Sequence, residues 1–369
     1  MTGRAARRRQ MTIATVGFQG FDNIGDEAIL TGIEAALAGT AARVTTVFSG
    51  PRADGIAAFP EARRVVTTRH LPGLSALRLL RRTDLLVVAG GGIFNDHWTA
   101  VIPRYAAWVL AARLAGARVA WVGVGVGPIR RGWLRWLTRL AARASSLVLV
   151  RDAASAELLG SPSARVIPDP SLFNPFPAPR PREPGGELEL GLVVRAPTSG
   201  EVGRTAALLD AIVSAAVAAS ANGARPVVMT MAGETDRRFA ESLLGGLERA
   251  GLTEVRCEAL GPTPAAALDR LGRLSGMITV RLHGLLLGAL AGVPIVPIAY
   301  DGKVRVAAER LGLGDLVVPL ADVSEVDLVE RLEAAGSLER RQLVGERVSA
   351  MRGEREAVAT AVLAVGGRR

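Results

Sequence analysis

The sequence predicts an α/β protein built from two doubly wound domains. Short runs rich in β-branched and other apolar residues, such as those at 85–89 and 119–122, alternate with longer segments of helical periodicity. This alternation is typical of β-α-β units, in which helices cover both faces of a mostly parallel sheet. A proline-rich segment at 168–187 interrupts the alternation, which then resumes, and a chain of 369 residues is long enough for two such domains.

The order of these patterns predicts the domain boundaries. Seven of the 20 prolines lie between Pro168 and Pro184, and proline cannot continue a helix or a central strand, so this segment is predicted to be a linker. Residues 1–10 are predicted to be a disordered basic extension, with Met11 as an alternative start. The predicted parts are an N-terminal domain at 11–167, the linker at 168–187, a C-terminal domain at 188–337, and a long terminal helix with its tail at 338–369.

Strands are predicted where the short apolar runs are densest, and helices between them. In the first domain the predicted strands are 13–16, 43–48, 85–89, 119–122 and 147–150. In the second domain they are 188–194, 226–231, 276–280 and 295–298. Ligands of open α/β sheets bind beyond the carboxyl ends of the strands, so site residues are expected directly after these segments.

Composition excludes several classes of protein. Cys257 is the only cysteine, so the chain can form neither an intrachain disulfide nor a multi-cysteine zinc site, and no metal or cofactor is predicted. No apolar run reaches the length of a membrane span and no signal peptide is recognisable, so we expect a cytoplasmic protein. The net charge of +10 favours anionic partners, including an anionic membrane face contacted peripherally. With 4% aromatic residues, no nucleic-acid partner is expected.

The first candidate site follows the first predicted strand, at residues 17–27. Its glycines allow a sharp turn and a close approach to a ligand, and it contains Asn23 and Asp26 in a chain with four asparagines. Its spacing is neither that of a dinucleotide-binding loop nor that of a P-loop. The alternative is a simple strand–helix turn in which Asp26 caps the helix.

Two glycine-rich segments follow later strands of the first domain. The segment at 89–96 contributes Gly91, Gly92 and Asn95 as candidate binding residues, and a second segment lies at 123–128. Their glycines let the backbone approach either a ligand or a neighbouring loop, and the sequence leaves both readings open. Arg151 and Arg195 also follow predicted strands. Each is either a site arginine or an ordinary surface arginine, and the sequence leaves both interpretations open.

The strongest candidate site is the segment Arg281-Leu282-His283-Gly284. Arg281 and His283 are two residues apart at a strand end, and Gly284 opens a short helix whose amides could hold an anion. Lys303 follows the next strand and is the only lysine among 45 basic residues. An arginine, a histidine and a lysine at one sheet edge form an anion clamp with a group that can move protons near neutral pH.

Taken in order, these motifs resemble the polysaccharide pyruvyl transferase family. The resemblance rests on residues 20–30, 90–96, 123–128, 150–152, 169–170, 193–195, 281–284 and 300–303. It implies a GT-B-like fold of two Rossmann-like domains facing across a cleft, the N-terminal one on the acceptor side and the C-terminal one on the donor side. It also implies transfer of pyruvate from phosphoenolpyruvate onto two hydroxyls of a cell-envelope sugar, which forms a cyclic ketal. By motif, the donor would be held by Arg195, Arg281, His283 and Lys303, with Arg151 from the first domain, while Asn23 and Asp26 would face the acceptor.

The chemistry of this reaction agrees with the residue types. His283 is the candidate general acid, or else only a further phosphate ligand, and Asp26 is the candidate base. The alternatives are a GT-B nucleotide-sugar glycosyltransferase and a non-enzymatic anion-binding protein. A lipid-linked saccharide acceptor and a homo-oligomer are both left open. Trp121, Trp133 and Trp136 are expected in the core or at a domain interface rather than in an aromatic platform for a sugar.

Overall fold

The computed structural model describes residues 10–38, 40, 42–48, 65–67, 73–175, 187–195, 204–323 and 325–367. The chain divides into two compact units. Unit 1 comprises Met1–Phe21, Ile33–Pro170 and Glu354–Arg369. Unit 2 comprises Asp22–Gly32 and Ser171–Gly353. No helix among the described residues is long and apolar enough to cross a membrane.

Unit 1 is built on a parallel sheet whose described strands have the order β3-β2-β1-β4-β5-β6-β7. The strand order reverses beside β1, since β2 and β3 lie on one side of it and β4 lies on the other. The strands are β1 (Thr12–Val16), β2 (Arg43–Phe48), β3 (Val65–Thr67), β4 (Leu85–Phe94), β5 (Arg118–Val126), β6 (Leu147–Val150) and β7 (Ala164–Val166).

Helices cover this sheet because its central strands are apolar on both faces. One face packs against a core that includes Leu86, Trp108, Trp121 and Leu134. The helices assigned to this part of the chain are α1 (Ile24–Leu37), α2 (Leu74–Leu80), α3 (Val101–Leu114), α4 (Gly132–Ala144) and α5 (Ala153–Leu159). The first turns of α1 belong to unit 2.

Unit 2 repeats the arrangement with a parallel sheet in the order β10-β9-β8-β11-β12-β13. Here the order reverses beside β8, and apolar cores lie on both faces of the sheet. The strands are β8 (Leu188–Val193), β9 (Ala224–Thr230), β10 (Arg256–Ala259), β11 (Gly276–Thr279), β12 (Ile295–Ala299) and β13 (Val318–Pro319). The helices are α6 (Thr205–Ala221), α7 (Gly233–Arg249), α8 (Pro264–Leu271), α9 (Leu282–Leu290), α10 (Gly302–Arg310), α11 (Glu325–Gly336) and α12 (Leu338–Gly353).

The predicted fold class of two doubly wound, Rossmann-like sheets is confirmed. The predicted single terminal helix is wrong, because α12 ends at Gly353 and α13 (Arg355–Gly366) follows as a separate helix. Glycine is a poor helix former, which accounts for a break at this position. The last helix packs within unit 1, where the Arg118 side chain donates to the carbonyl of Val365 at 2.8 Å.

Two further differences concern segments that the sequence predicts to be loops. The glycines at 90–92 and 123–125 lie inside β4 and β5 rather than after them. Residues 168–174 of the predicted linker are buried and include a 3-10 turn at Pro170–Phe173, whereas residues 176–186 lie outside the described residues. The predicted disordered extension at 1–10 also lies outside them, except for Gln10.

Candidate functional site

Two arginines flank the point where the strand order of the unit 2 sheet reverses. Val193 at the end of β8 pairs with Thr279 at the end of β11. Arg195 and Arg281 therefore each lie two residues beyond this paired position. Ligands of doubly wound sheets bind outside the carboxyl ends of the strands at such a reversal. The sheet thus places two cations where its topology favours a binding site.

Arg281 forms an ion pair with Asp236 of α7, whose side chain is 0% exposed. The other oxygen of this carboxylate accepts from the backbone amides of Met231 and Ala232, each at 2.9 Å. These contacts hold the carboxylate in place, and the carboxylate in turn orients the guanidinium of Arg281.

Burial acts on both members of this pair. Burial raises the pKa of Asp236 above its ordinary value, while Arg281, the two backbone amides and Arg195 oppose that rise. Burial also lowers the pKa of Arg281, and the charge of Asp236 opposes that fall. Because guanidinium groups stay protonated in proteins, Arg281 remains a fixed cation at this sheet edge.

Arg195 is held by Tyr300, the residue that follows β12. Its Nη1 donates to the Tyr300 hydroxyl at 2.6 Å, and its guanidinium carbon lies 4.5 Å from the centre of the Tyr300 ring. Both contacts favour a planar guanidinium over an ammonium. Arg195 also influences the pKa of Asp236 and of Arg281 electrostatically, so the three charges act on one another.

His283 packs directly against the start of α1. A Cβ atom added to Gly25 would overlap the imidazole at Nδ1 and Cγ, so the ring occupies the space that a side chain at position 25 would fill. The start of α1 is fixed to the turn that follows β9, because the Ile24 amide donates to the Met231 carbonyl at 2.9 Å and Asn23 forms an antiparallel bridge with Ala232.

Asn23 and Asp26 lie together in this same first turn of α1. The Asn23 amide nitrogen donates to the Asp26 carboxylate at 2.6 Å, and the Asn23 side-chain oxygen accepts from the Gly25 amide at 3.2 Å. Asn23 therefore caps the helix, rather than Asp26 as in the simple-turn interpretation. Asp26 is 7% exposed and acts electrostatically on Arg281. These two residues were predicted in the N-terminal domain but belong to the same compact unit as His283.

Gly284 allows α9 to begin against Thr279. A Cβ atom at Gly284 would overlap the Thr279 hydroxyl oxygen, so the glycine is required for close packing within the unit. The Thr279 hydroxyl in turn accepts from the Arg281 amide at 3.1 Å. This contact fixes the backbone at the turn between β11 and α9. A role of Gly284 in binding substrate stays a prediction.

The Lys303 ammonium pairs with Asp301 at 3.3 Å. Asp301 also caps α10, since its other oxygen accepts from the amides of Lys303 and Val304 at 3.0 and 3.3 Å. Lys303 is 33% exposed and follows β12, the strand next to β11. The structure thus places Lys303 on the predicted sheet edge, held by its own helix cap, and its part in an anion clamp stays a prediction.

Arg151, a candidate residue of unit 1, is buried just after the end of β6. Arg151 is 7% exposed, with Nη1 3.5 Å from Asp169 and Nε 3.6 Å from Asp152. Its guanidinium lies over Gly125, where an added Cβ atom would come within 2.7 Å of it. The sequence predicts that Arg151 contributes to donor binding, and the structure shows a side chain packed at the edge of its own sheet.

Packing against neighbouring backbone explains part of the glycine-rich segments. A Cβ atom at Gly90 would overlap the Gly123 carbonyl. At this position, therefore, the backbone approaches the neighbouring strand β5. Gly92 has more room, with Arg151 Nη2 3.6 Å from the position of its absent Cβ. Asn95 closes the following turn by donating to the Gly92 carbonyl and accepting from the His97 amide. Binding by Gly91, Gly92 and Asn95 stays a prediction.

Gln19 lies at the strand-order reversal of unit 1, in the loop after β1. Its side chain is 0% exposed, and among the described residues neither its amide oxygen nor its amide nitrogen has a hydrogen-bond partner. Its amide group lies against Gly17, near the carbonyl of Ala89 in β4. Buried polar groups normally have partners, so an isolated amide at such a position marks a candidate binding group.

The structure therefore brings together Asn23, Asp26, Arg195, Arg281 and His283 within unit 2. Sequence reasoning did not single out Asp236, Tyr300, Gly25 and Gln19 as site residues, although Gly25 and Tyr300 lie within the motifs at 20–30 and 300–303. Asp236 follows β9 by six residues, and Tyr300 is one of two tyrosines in the chain and directly follows β12. The rule that sites follow strands could have found both. Gly25 and Gln19 depend on contacts between side chain and backbone that no sequence pattern specifies.

Solved structures with the same fold have low sequence identity to this chain. A putative UDP-N-acetylglucosamine 2-epimerase from Listeria monocytogenes has a TM-score of 0.62 and 13% identity, with 97% of this chain and 95% of that chain covered. The Anabaena protein HepE, solved in complex with UDP and glucose, has a TM-score of 0.61 and 13% identity, with 97% of each chain covered. A Thermobaculum terrenum O-GlcNAc transferase mutant has a TM-score of 0.53 and 17% identity. The match covers 97% of this chain, which spans 66% of that protein's length. These likenesses confirm the GT-B-like fold of two Rossmann-like domains.

The family follows from a different comparison. No curated protein matches the sequence. The model of the polysaccharide pyruvyl transferase family matches residues 23–302, which include the Asn23 turn, both arginines of the unit 2 sheet edge and His283. This match covers most of the chain and confirms the resemblance that the motifs indicate: the chain belongs to the polysaccharide pyruvyl transferase family.

Proposed function

We propose that this protein transfers pyruvate from phosphoenolpyruvate onto two hydroxyls of a cell-envelope sugar and releases phosphate. The product is a cyclic ketal in which the pyruvate carbon C2 joins both sugar oxygens. The donor carries a carboxylate and a phosphate, so it requires several cations at one place. We place the donor at the carboxyl end of the unit 2 sheet and the reacting hydroxyl near the first turn of α1.

The observation that carries this proposal is the pair Arg195 and Arg281 at the strand-order reversal of unit 2, beside His283. Tyr300 and Asp236 fix the two guanidinium groups before any substrate arrives. Charges that are oriented in advance stabilise a developing negative charge without reorganisation during the reaction. A leaving phosphate is such a charge.

The chemistry needs one proton donor and one proton acceptor. His283 donates a proton to the methylene carbon of phosphoenolpyruvate, which leaves a cationic centre at C2. A sugar hydroxyl attacks C2 and gives up its proton, for which Asp26 is our candidate base. Phosphate then leaves C2 and takes the proton held by Asp26. The second hydroxyl attacks C2 and closes the ring, and its proton restores His283. A general acid of this kind contributes about 10²–10⁴-fold to the rate.

The proposal is tested by phosphate release from phosphoenolpyruvate in the presence of a panel of pyranosides. We expect phosphate release that depends on the acceptor, and a product heavier than the acceptor by one pyruvate less one water. Transfer from a nucleotide sugar, with no reaction of phosphoenolpyruvate, would instead establish the glycosyltransferase alternative. Ligand binding without any turnover would favour the non-enzymatic alternative.

The role of His283 is tested by His283→Asn, with His97→Asn as the matched control. His97 is exposed and lies in the turn after β4 of unit 1. We expect His283→Asn to lower kcat by about 10²–10⁴-fold and to remove one limb of the pH–rate profile, because an amide cannot donate a proton in this way. If only the KM for phosphoenolpyruvate rises, His283 is a phosphate ligand and not the acid.

A further inference from the structure

Three tryptophans of unit 1 have largely exposed side chains. Trp98 is 72% exposed, Trp133 is 55% exposed and Trp136 is 64% exposed. This finding corrects the prediction of a core position for Trp133 and Trp136. Trp108 and Trp121 are the remaining tryptophans, and both are buried. Large apolar groups that remain exposed together mark an interaction surface.

The fold brings these tryptophans to the same edge. Trp133 and Trp136 lie in the first turns of α4, on the side away from its buried residues Leu134, Thr138 and Ala141. Trp98 precedes α3, which packs against α4. Asp96 ties the two turns together, because its carboxylate accepts from the amides of Arg130 and Arg131 at 2.6 and 3.2 Å.

The charge around the tryptophans has one sign. Residues 97–150 contain eight arginines and neither aspartate nor glutamate. Arg130, Arg131 and Arg135 are exposed beside the tryptophans. The acidic residue that precedes this stretch, Asp96, has its carboxylate bound to backbone amides. We call Trp98, Arg130, Arg131, Trp133, Arg135 and Trp136 the Trp–Arg patch.

We propose that the Trp–Arg patch docks unit 1 onto an anionic membrane surface. Tryptophan rings favour the level of the lipid headgroups, and arginines without acidic neighbours are attracted to anionic lipids. A second copy of the chain fits less well, because a two-fold symmetric interface would bring the same arginines of both copies face to face. The patch lies at the carboxyl edge of the unit 1 sheet, where β4 ends, so docking there would bring that edge close to a lipid-linked acceptor.

The test is binding of the full-length protein to vesicles. We expect sedimentation with vesicles that contain phosphatidylglycerol, little with pure phosphatidylcholine, and weaker binding as salt rises. Tryptophan emission should shift to shorter wavelength on binding, and the shift should arise from the exposed tryptophans because the other two are already buried. Equal binding to neutral vesicles, or no binding to either kind, would overturn the proposal.

Variants distinguish vesicle binding through the Trp–Arg patch from unspecific adsorption of the protein. Trp133→Ser with Trp136→Ser, and separately Arg130→Glu with Arg131→Glu, should each weaken binding by at least about tenfold. The matched controls are Leu114→Ser with Leu338→Ser, which remove other exposed apolar groups, and Arg341→Glu with Arg347→Glu on α12. The controls should bind as the unmodified protein does, and weakening by the controls to the same extent would overturn the proposal.

The oligomeric state and the activity complete the test. If Trp133→Ser with Trp136→Ser turns a dimer into a monomer in analytical ultracentrifugation and leaves vesicle binding intact, the patch is an interface between copies and the proposal fails. Vesicle binding needs no substrate, so it stands or falls separately from pyruvyl transfer. Turnover of a soluble acceptor should be the same in the double tryptophan variant as in the unmodified protein.

Discussion

The carboxyl edges of the two sheets have the same topology and different chemistry. At the edge of unit 2, Arg195 and Arg281 are fixed by Tyr300 and by a fully buried Asp236. At the edge of unit 1, the corresponding loop after β1 carries Gln19, a buried amide, and the guanidinium of Arg151 has two acidic neighbours, Asp152 and Asp169. A doubly wound sheet fixes where a ligand can bind, whereas the residues after its strands decide which ligand binds.

This difference suits two substrates of different charge. Two neighbouring guanidinium groups, Arg195 oriented by Tyr300 and Arg281 by Asp236, favour a small polyanion such as phosphoenolpyruvate. Amide and backbone groups favour the hydroxyls of a neutral sugar, because these hydroxyls need hydrogen-bond partners and no opposite charge. The two edges can therefore be compared by changes that remove one kind of group at a time.

The largest effect on stability is expected from Arg281→Met. The change leaves the carboxylate of Asp236 buried without its cation, which costs about 3–5 kcal/mol of unfolding free energy. Arg151→Met at the unit 1 edge should cost less, because the contacts of Arg151 with Asp152 and Asp169 are long, at 3.6 and 3.5 Å. Urea unfolding measures both.

Arg273→Met serves as the control for this pair of variants. Arg273 pairs with Asp269 on α8, both exposed, so its loss should change stability by no more than about 0.5 kcal/mol. An Arg151→Met loss as large as that of Arg281→Met would show that the two edges are electrostatically alike, and would remove the contrast between them.

Gly25→Ala is expected to have the next largest effect. Alanine in a helix is normally more stable than glycine by about 1 kcal/mol. At Gly25 the new Cβ atom would overlap the His283 imidazole, so we expect a loss of about 1–3 kcal/mol and a displaced ring that lowers kcat. The control is Gly345→Ala on α12, where nothing lies within 4 Å of the added atom and a gain in stability is expected. Equal gains in both variants would mean that His283 does not depend on the start of α1.

Gln19→Met probes the edge of unit 1. Methionine has nearly the same shape and removes an amide without a partner among the described residues, so stability should rise by about 1 kcal/mol. If this amide meets the acceptor, the KM for the sugar should rise while the KM for phosphoenolpyruvate stays constant. Gln342→Met, at an exposed position of α12, is the control. A higher KM for phosphoenolpyruvate would contradict the proposal that Gln19 meets the acceptor.

The smallest effect is expected from Asp96→Asn. Burial by itself raises the pKa of Asp96, but the backbone amides of Arg130 and Arg131 and the charges of these arginines outweigh burial, so the pKa is lowered below 3.8. A carboxylate with a lowered folded-state pKa stabilises the protein above the unfolded value, and this contribution is lost as pH falls through the folded value.

The stability difference between Asp96→Asn and the unmodified protein should therefore be present at neutral pH and disappear below about pH 3.8. Thermal unfolding across this pH range measures the difference, with Asp210→Asn at an exposed position of α6 as the control. A difference that grows on acidification would mean that Asp96 does not hold the two turns together through its charge.

The sequence was sufficient to predict most central strands and the residues that follow them. The strands around 85–89, 119–122 and 276–280 were predictable because a parallel sheet covered on both faces requires continuous apolar runs. The short edge strands β3, β7, β10 and β13 were missed, because two to four residues carry too little periodicity to be distinguished from loops. Glycines that continue β4 and β5 were read as loops for a similar reason, since glycine usually weakens a strand.

By itself, the sequence determined the two-sheet fold class, the family, and Arg195, Arg281 and His283 as candidate site residues, because these follow from local pattern and from position after a strand. Tertiary structure decided the rest. It paired Arg281 with Asp236, which lies 45 residues away in the chain. It also packed His283 against Gly25, placed Asn23 and Asp26 in the unit of His283, and left Trp133 and Trp136 exposed. Each of these depends on contacts between residues distant in sequence, and such contacts form only when the helices have packed onto their sheets.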